Sequence, residues 1–247
     1  MKIIAVYNIK GGVGKTATSV NMAYTIAKDG FNTLIVDLDP QGASTYYFKA
    51  DPKLKGKSKK ILSAKKDISE SIVTTDYTNL DILPADPSYR KIDFIIDDLK
   101  GGDKWLKKIL KPVKKAYDYV ILDCPPNVTN LSENVFRNSD LVLVPVVPTI
   151  LSVRTFDQML AFFQEEKIDY NKIIPFFSMV EKRKNMHNRI MNEFLEKNSN
   201  TINVGIPYLS LIEKMGEYRS PVTHKYPYYE ASFCYKKLWK ELKTKIA

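Results

Sequence analysis

The sequence predicts an α/β fold: a mostly parallel, twisted sheet of about seven strands with helices on both faces. Short apolar runs alternate with helix-length segments along the 247 residues, which is the pattern of repeated strand–helix–strand units. Runs such as Val120-Ile121-Leu122 and Leu141-Val142-Leu143-Val144 are apolar without alternation, as strands covered on both faces must be. The first apolar run of the chain, residues 2–8, leads straight into 10-KGGVGKT-16, a glycine-rich turn that opens a helical pattern.

Seven strands are expected, at 2–8, 32–39, 79–85, 117–125, 140–147, 172–180 and 201–207. The segment 15–30 places Val20, Ala23, Tyr24 and Ala27 on one helical stripe and stops at Gly30, a residue suited to a C-cap. A second helix is expected over 105–116, with Leu106, Ile109, Leu110 and Val113 inward and its lysines in solvent. Residues 49–66 carry eight lysines with Pro52 and Gly56, a composition that reads as a loop leading into a helix. No composition shift divides the chain, so residues 1–247 are expected to form a single domain.

Composition narrows the function classes. No apolar stretch approaches the roughly 20 residues needed to span a bilayer, and the chain opens on strand residues rather than a secretory leader. A cytoplasmic protein is expected. The two cysteines, Cys124 and Cys234, are too few for a disulfide framework, and a reduced Cys124 is expected beside Asp123. His187 and His224 lack metal-ligand spacing and read as surface residues. Charge is the informative quantity: 38 Lys+Arg against 28 Asp+Glu leave about +10. Such an excess attracts polyanions. Only six of the basic residues are arginine, and lysine suits contact with phosphate backbone better than base reading.

The loop 10-KGGVGKT-16 has the chemistry of a phosphate cradle. Gly11, Gly12, Val13 and Gly14 bring backbone N–H groups around an anion, and Lys15, Thr16 and Ala17 begin a helix whose N-terminus carries partial positive charge. In a P-loop, Lys15 reaches the β- and γ-phosphates and the Thr16 hydroxyl ligates Mg²⁺. The loop departs from the common pattern, because Ile9 holds the place of its first glycine and Lys10 adds a second cation. Asp37 and Asp39 end one strand and Asp123 ends another, where ligands of open α/β sheets gather. The fold expected is therefore of the P-loop NTPase type.

K-G-G-x-G-K-T, then V-D-x-D-P-Q-G, then D-C-P-P together resemble the ParA/MinD family of deviant Walker A ATPases. The likeness extends to "NLDILPAD" at 79–86 and to 220–242, and is strongest for small ParA-type partition ATPases without an N-terminal helix-turn-helix domain. It implies ATP and Mg²⁺ as cofactors. It implies that Lys10 reaches across a homodimer to the ATP of the other subunit, and that Lys15 and Thr16 are the phosphate lysine and the Mg²⁺ ligand. Asp39 would orient the attacking water near the metal, Asp123 would stand as the Walker B aspartate beside Mg²⁺, and Asp37 would support both. For adenine, the resemblance points to backbone near Ser178–Val180 and at Ile206 and Pro207.

The resemblance leaves two anionic surfaces as targets of the ATP-dependent dimer. ParA-like members bind nonspecific DNA, and MinD-like members bind membrane through a terminal amphipathic helix. The ending "CYKKLWKELKTKIA" aligns Tyr235, Leu238, Trp239, Leu242 and Ile246 on one stripe, which read alone fits an interfacial helix. Its position matches the last packed helix of ParA proteins, so DNA is the expected target, reached by a protein associated with the nucleoid when ATP-bound. Lys182, Arg183, Lys184, Arg189, Lys214, Arg219 and Lys225 are the candidate contacts. The P-loop begins by residue 10, so operator-specific repression through a preceding helix-turn-helix is not expected. Slow intrinsic turnover, raised by a ParB-like or other activator protein, completes the expectation.

Overall fold

The computed structural model describes residues 1–52, 61–63, 65–99 and 101–246. Its centre is an eight-stranded sheet in the order β3-β4-β2-β5-β1-β6-β7-β8. The strands are β1 (Lys2–Val6), β2 (Thr33–Asp37), β3 (Val73–Thr74), β4 (Leu80–Leu83), β5 (Tyr119–Asp123), β6 (Leu141–Val146), β7 (Ile173–Val180) and β8 (Ile202–Pro207). All seven expected strands form. The eighth, β3, is a two-residue edge strand antiparallel to β4, pairing Val73 with Ile82 and Thr74 with Asp81. Two residues are too few to leave a period in the sequence. The other pairings are parallel.

Alternate residues of β1 enter opposite cores, as the period of a strand requires. Ile3, Ala5 and Tyr7 join one, with Trp105, Phe136, Phe163 and Phe194. Ile4 and Val6 join the other, with Val20, Ala23, Ile26, Tyr235 and Leu238. The first face is covered by α3 (Ile92–Asp97), α4 (Trp105–Leu110), α5 (Asn130–Asn138), α6 (Ile150–Glu165) and α7 (Asn185–Lys197). The second is covered by α1 (Lys15–Lys28) and α11 (Glu230–Ile246), with the short helices α8 (Ser210–Glu213), α9 (Met215–Tyr218) and α10 (Val222–Lys225) beside them. One further short helix, α2 (Ala43–Tyr47), follows β2.

The expected helix over 105–116 has its inward face as read, with Leu106, Ile109, Leu110 and Val113 all buried. It stops as an α-helix at Leu110 and continues as a 3₁₀ turn over Lys111–Val113. Pro112 accounts for the change, because it has no N–H to carry the helical ladder onward. Half of the lysine-rich stretch 49–66, namely residues 53–60 and 64, lies outside the described residues.

Tyr235, Leu238, Trp239, Leu242 and Ile246 of α11 are each at most 5% exposed, packed in the same core as α1 and β8. The stripe that resembled an interfacial face is thus the inner face of a core helix. One reading is corrected: His187 is buried at 3% exposure rather than at the surface. Its Nδ1 accepts the Glu181 N–H at 3.2 Å, so the ring closes the turn between β7 and α7. His224 is exposed and pairs with the Tyr24 hydroxyl at 3.1 Å.

Candidate nucleotide site

Parallel register brings the acidic strand ends together. In the order β2-β5-β1, Asp37 is the register partner of Asp123, and Asp123 is also the partner of Val6, just before the glycine-rich loop. Residues 86 positions apart in sequence therefore stand abreast at the carboxyl edge of the sheet. The loop turns from β1 into α1 over this edge.

Two glycines make the turn possible. Gly12 and Gly14 have φ of 70° and 89°, in the left-handed region that side chains with a Cβ disfavour. A Cβ on Gly14 would also meet Ser178 Oγ at 2.9 Å, so any larger residue would collide with β7. Gly14 is the N-cap of α1, and no side chain caps the first turn. The uncapped N–H groups and the helix dipole make this end an anion site.

Lys15 is buried at 8% exposure, and its Nζ donates to the Lys10 carbonyl at 3.1 Å. Burial pulls its ammonium below the usual lysine value, while Asp123, Cys124 and Asp39 oppose that shift. An ammonium held there meets a phosphate without first shedding a full water shell. The Lys10 side chain is different in kind: the residue is exposed and is not among those that line the cavity formed by its own loop.

Asp123 is 1% exposed, and serine hydroxyls hold both its oxygens. Ser19 Oγ donates to Oδ1 at 3.0 Å and Ser44 Oγ to Oδ2 at 2.6 Å. Asp37 is fully buried and accepts the Thr45 N–H at 2.8 Å and the Thr45 hydroxyl at 2.7 Å. Burial pushes the Asp37 carboxyl up to about 7, and the neighbouring Asp123 pushes it the same way. Burial also raises Asp123, against the hydroxyls of Ser44, Thr16 and Ser19, which favour its ionised form. Buried carboxyls facing one another fit a site that accepts a cation. Asp39 is half-buried, lines the cavity, and fixes the next turn by accepting the Gln41 N–H at 2.9 Å. The donor set of Thr16, Asp39 and Asp123 is all oxygen, the chemistry that suits Mg²⁺.

The cavity has a volume of about 410 Å³ and is lined by Gly11, Gly12, Gly14, Lys15, Thr16 and Ala17 at one end. At the other lie Ser178, Met179, Ile206 and Pro207, the backbone candidates for the base. Val13 is buried beneath the loop instead. Met179 has φ of 55°, in a stretch where the β7–β8 register shifts. Cys124 is a free, buried thiol whose pKa burial pushes well up. Ser19, Ser44 and Thr45 were absent from the sequence reading. Two of them are hydroxyl partners of Asp123 across 104 and 79 residues, a relation with no local signal.

The basic candidates do not form one free patch. Lys182 pairs with Glu230 at 2.5 Å, Lys184 with Glu181 at 2.5 Å and Arg189 with Glu193 at 3.8 Å. Arg219 stands over the Tyr46 ring at 4.3 Å and donates Nε–H to the Tyr46 carbonyl at 2.9 Å, tying it to α2. Arg183, Lys214 and Lys225 are exposed.

Comparison with known proteins agrees with this architecture. The family model described as AAA domain matches residues 1–176. The chain is 38% identical over 162 residues to the sporulation initiation inhibitor protein Soj of Bacillus subtilis, a match covering 64% of this chain and 63% of Soj. It is 31% identical over 169 residues to a ParA family protein of Chlamydia muridarum, covering 66% of each. The match thus spans less than two thirds of these relatives. Among solved structures, a putative plasmid partition protein of Borrelia burgdorferi bound to AMPPNP superposes with a TM-score of 0.80 at 23% identity, covering 99% of this chain and 98% of that one. The cell division ATPase MinD of Pyrococcus furiosus superposes with a TM-score of 0.79 at 18% identity, covering 98% of each. Cobyrinic acid a,c-diamide synthase of Mycobacterium smegmatis, with bound ATP analog and magnesium, reaches 0.81 at 23% identity, covering 98% and 94%. At these identities the solved structures speak for the fold. The chain belongs to the AAA domain family, and its sequence is similar to those of Soj and ParA family proteins.

Proposed function

We propose that this protein is an ATP-dependent switch that dimerises with ATP and Mg²⁺, binds nonspecific DNA and hydrolyses ATP when a partner protein stimulates it. Its role is to segregate or position a plasmid, a chromosome or other large cargo. The observation that carries this reading is the contrast between the two lysines of one loop. Lys15 is buried in its own cavity, whereas Lys10 is exposed and lines none of it. A cation presented outward beside a phosphate cradle supports a role toward a nucleotide held by a second subunit.

In this reading the first-turn N–H groups of α1 and Lys15 bind the phosphates, while Thr16, Asp39 and Asp123 hold Mg²⁺. Magnesium, when bound, supplies positive charge that neutralises phosphate oxygens. Asp39 orients water at the edge of the cavity, and the hydroxyls of Ser19 and Ser44 align Asp123 and favour its ionised form against the effect of burial. Lys10 of one subunit stabilises charge on the phosphoryl group bound by the other, as arginine fingers do. Hydrolysis then requires the dimer, and the dimer requires ATP.

The net charge of about +10 supports DNA as the anionic target, and the apolar stripe of α11 is packed in the core rather than turned to a membrane. Binding to random-sequence duplex DNA with ATP and Mg²⁺, compared with ADP and Mg²⁺, tests the reading. ATP should give much tighter binding, weakening steeply with salt. Binding that ignores the nucleotide would overturn it.

A further inference from the structure

A strongly basic concavity outside the nucleotide site lies where the C-terminal end of α1 meets α11. It has a volume of about 460 Å³ and carries Lys28, Lys236, Lys240 and Lys243 around Trp239 and Tyr24. Asp29 is the single acid in its lining. That carboxylate is already engaged, accepting Lys243 Nζ at 2.9 Å and the Trp239 indole N–H at 3.0 Å on one oxygen. Those bonds hold the Asp29 carboxyl below its usual value, so it stays a fixed anchor for Lys243. Lys236 donates to the Pro227 carbonyl at 3.0 Å, which leaves its charge uncompensated. Lys28 and Lys240 are exposed and have no ion-pair partner among the described residues.

The contrast with the turn after β7 decides which surface carries more free charge. There, Lys182, Arg183, Lys184 and Arg189 face Glu181, Glu193 and Glu230, and three of the four cations are paired. In the groove four lysines face one acid. We propose that the groove between α1 and α11 is a binding track for the phosphate backbone of duplex DNA, with Lys28, Lys236 and Lys240 as its principal contacts. This rests on the DNA-binding reading above and locates its surface.

Three observations favour backbone over other occupants. The cations are all lysines, point charges suited to phosphate rather than to bidentate base edges. Trp239 is 4% exposed, so it offers no ring face on which an unpaired base could stack. The apolar stripe of Tyr235, Leu238, Trp239, Leu242 and Ile246 on α11 is buried, so that stripe is not free to enter a lipid surface. The 17 residues of α11 extend about 25 Å, room for roughly seven base pairs at about 3.4 Å each. The groove and the nucleotide site lie at opposite ends of the 14-residue α1.

The test measures the salt dependence of binding to a random-sequence duplex with ATP and Mg²⁺. Each phosphate contact contributes about 0.9 to the slope of log K against log salt. The double variant Lys28→Gln/Lys240→Gln should therefore lower the slope by about 1.8 for each subunit in contact with the duplex. Lys28→Arg/Lys240→Arg should restore it, with circular dichroism and basal ATPase unchanged in both. Lys182→Gln/Lys184→Gln, whose lysines are already paired, should change the slope less. An unchanged slope in the groove variant, with wild-type binding intact, overturns the track while leaving DNA binding standing. A wild type that binds no duplex with ATP overturns the DNA reading and the track with it. Capture by anionic phospholipid vesicles that depends on Lys28 and Lys240, without duplex binding, would also overturn the track.

Discussion

Ser44 Oγ donates to Asp123 Oδ2 at 2.6 Å, joining the helix after β2 to the acid at the end of β5. The next residue, Thr45, holds Asp37 by two bonds, and the one after, Tyr46, carries Arg219. Three successive residues of α2 thus tie both buried acids and the α9–α10 segment to one short helix.

Ser44→Ala leaves one oxygen of a buried carboxylate without its donor. Loss of a hydrogen bond to a charged group costs about 1.5–3 kcal/mol. Urea denaturation without nucleotide should register a loss in that range, and the variant should bind Mg²⁺-ATP more weakly than wild type. A stability change below about 0.5 kcal/mol, the size expected of an ordinary surface substitution, would show that Asp123 does not depend on this hydroxyl.

The raised acids predict a pH dependence. Asp37 has a folded value of about 7 against about 3.9 in an unfolded chain. A raised carboxyl binds its proton more tightly in the folded state. Its contribution to stability is full below the unfolded value and is lost as pH rises toward about 7. Mg²⁺ favours the ionised acids, so the rise in Tm on adding Mg²⁺-ATP should grow between about pH 5 and 8. Thermal shift measured across that range checks it, and an increment independent of pH would contradict the assignment.

The two loop lysines should separate binding from turnover. Lys15→Ala removes the buried phosphate contact and should abolish detectable nucleotide binding, read with a fluorescent ATP analogue. Lys10→Ala should bind ATP nearly as well as wild type, with hydrolysis reduced by on the order of 10³-fold if it acts as a finger in trans. Turnover that survives Lys10→Ala would remove the basis for a trans role.

Asp39 lines the cavity without being buried in the Asp37–Asp123 pair. Asp39→Ala should bind ATP and dimerise but lose about 10²-fold or more in turnover, the range of a positioned proton acceptor. Such a variant should persist on DNA, as measured by dissociation after dilution into ADP. Normal turnover would show that another group orients the water.

The stripe of α11 supports the fold, so its truncation should be costly. Leu238→Ala, at a fully buried position, should destabilise the protein by about 2–5 kcal/mol, measured by urea denaturation. A much smaller loss would indicate that α11 lies loosely on the sheet. Deleting residues 235–247 should cost the native fold rather than trim a tail.

The phosphate loop, the seven main strands and the acidic strand ends are all legible along the chain. These are local signals: a motif within seven residues, apolar runs with the length of strands, and a charge set just after each run. The inward stripe of α11 was legible for the same reason, since helical spacing alone aligns Tyr235, Leu238 and Trp239. What completes the site and which charges are free depend instead on how the chain folds. The parallel register sets Asp37 beside Asp123, and the hydroxyls of Ser19 and Ser44 reach Asp123 from 104 and 79 residues away. Pairing turned Lys182, Lys184 and Arg189 from a free basic cluster into ion pairs, while folding brought Lys28 beside the lysines of α11. A residue's charge is written in the sequence. Whether that charge is already matched depends on a neighbour that folding supplies.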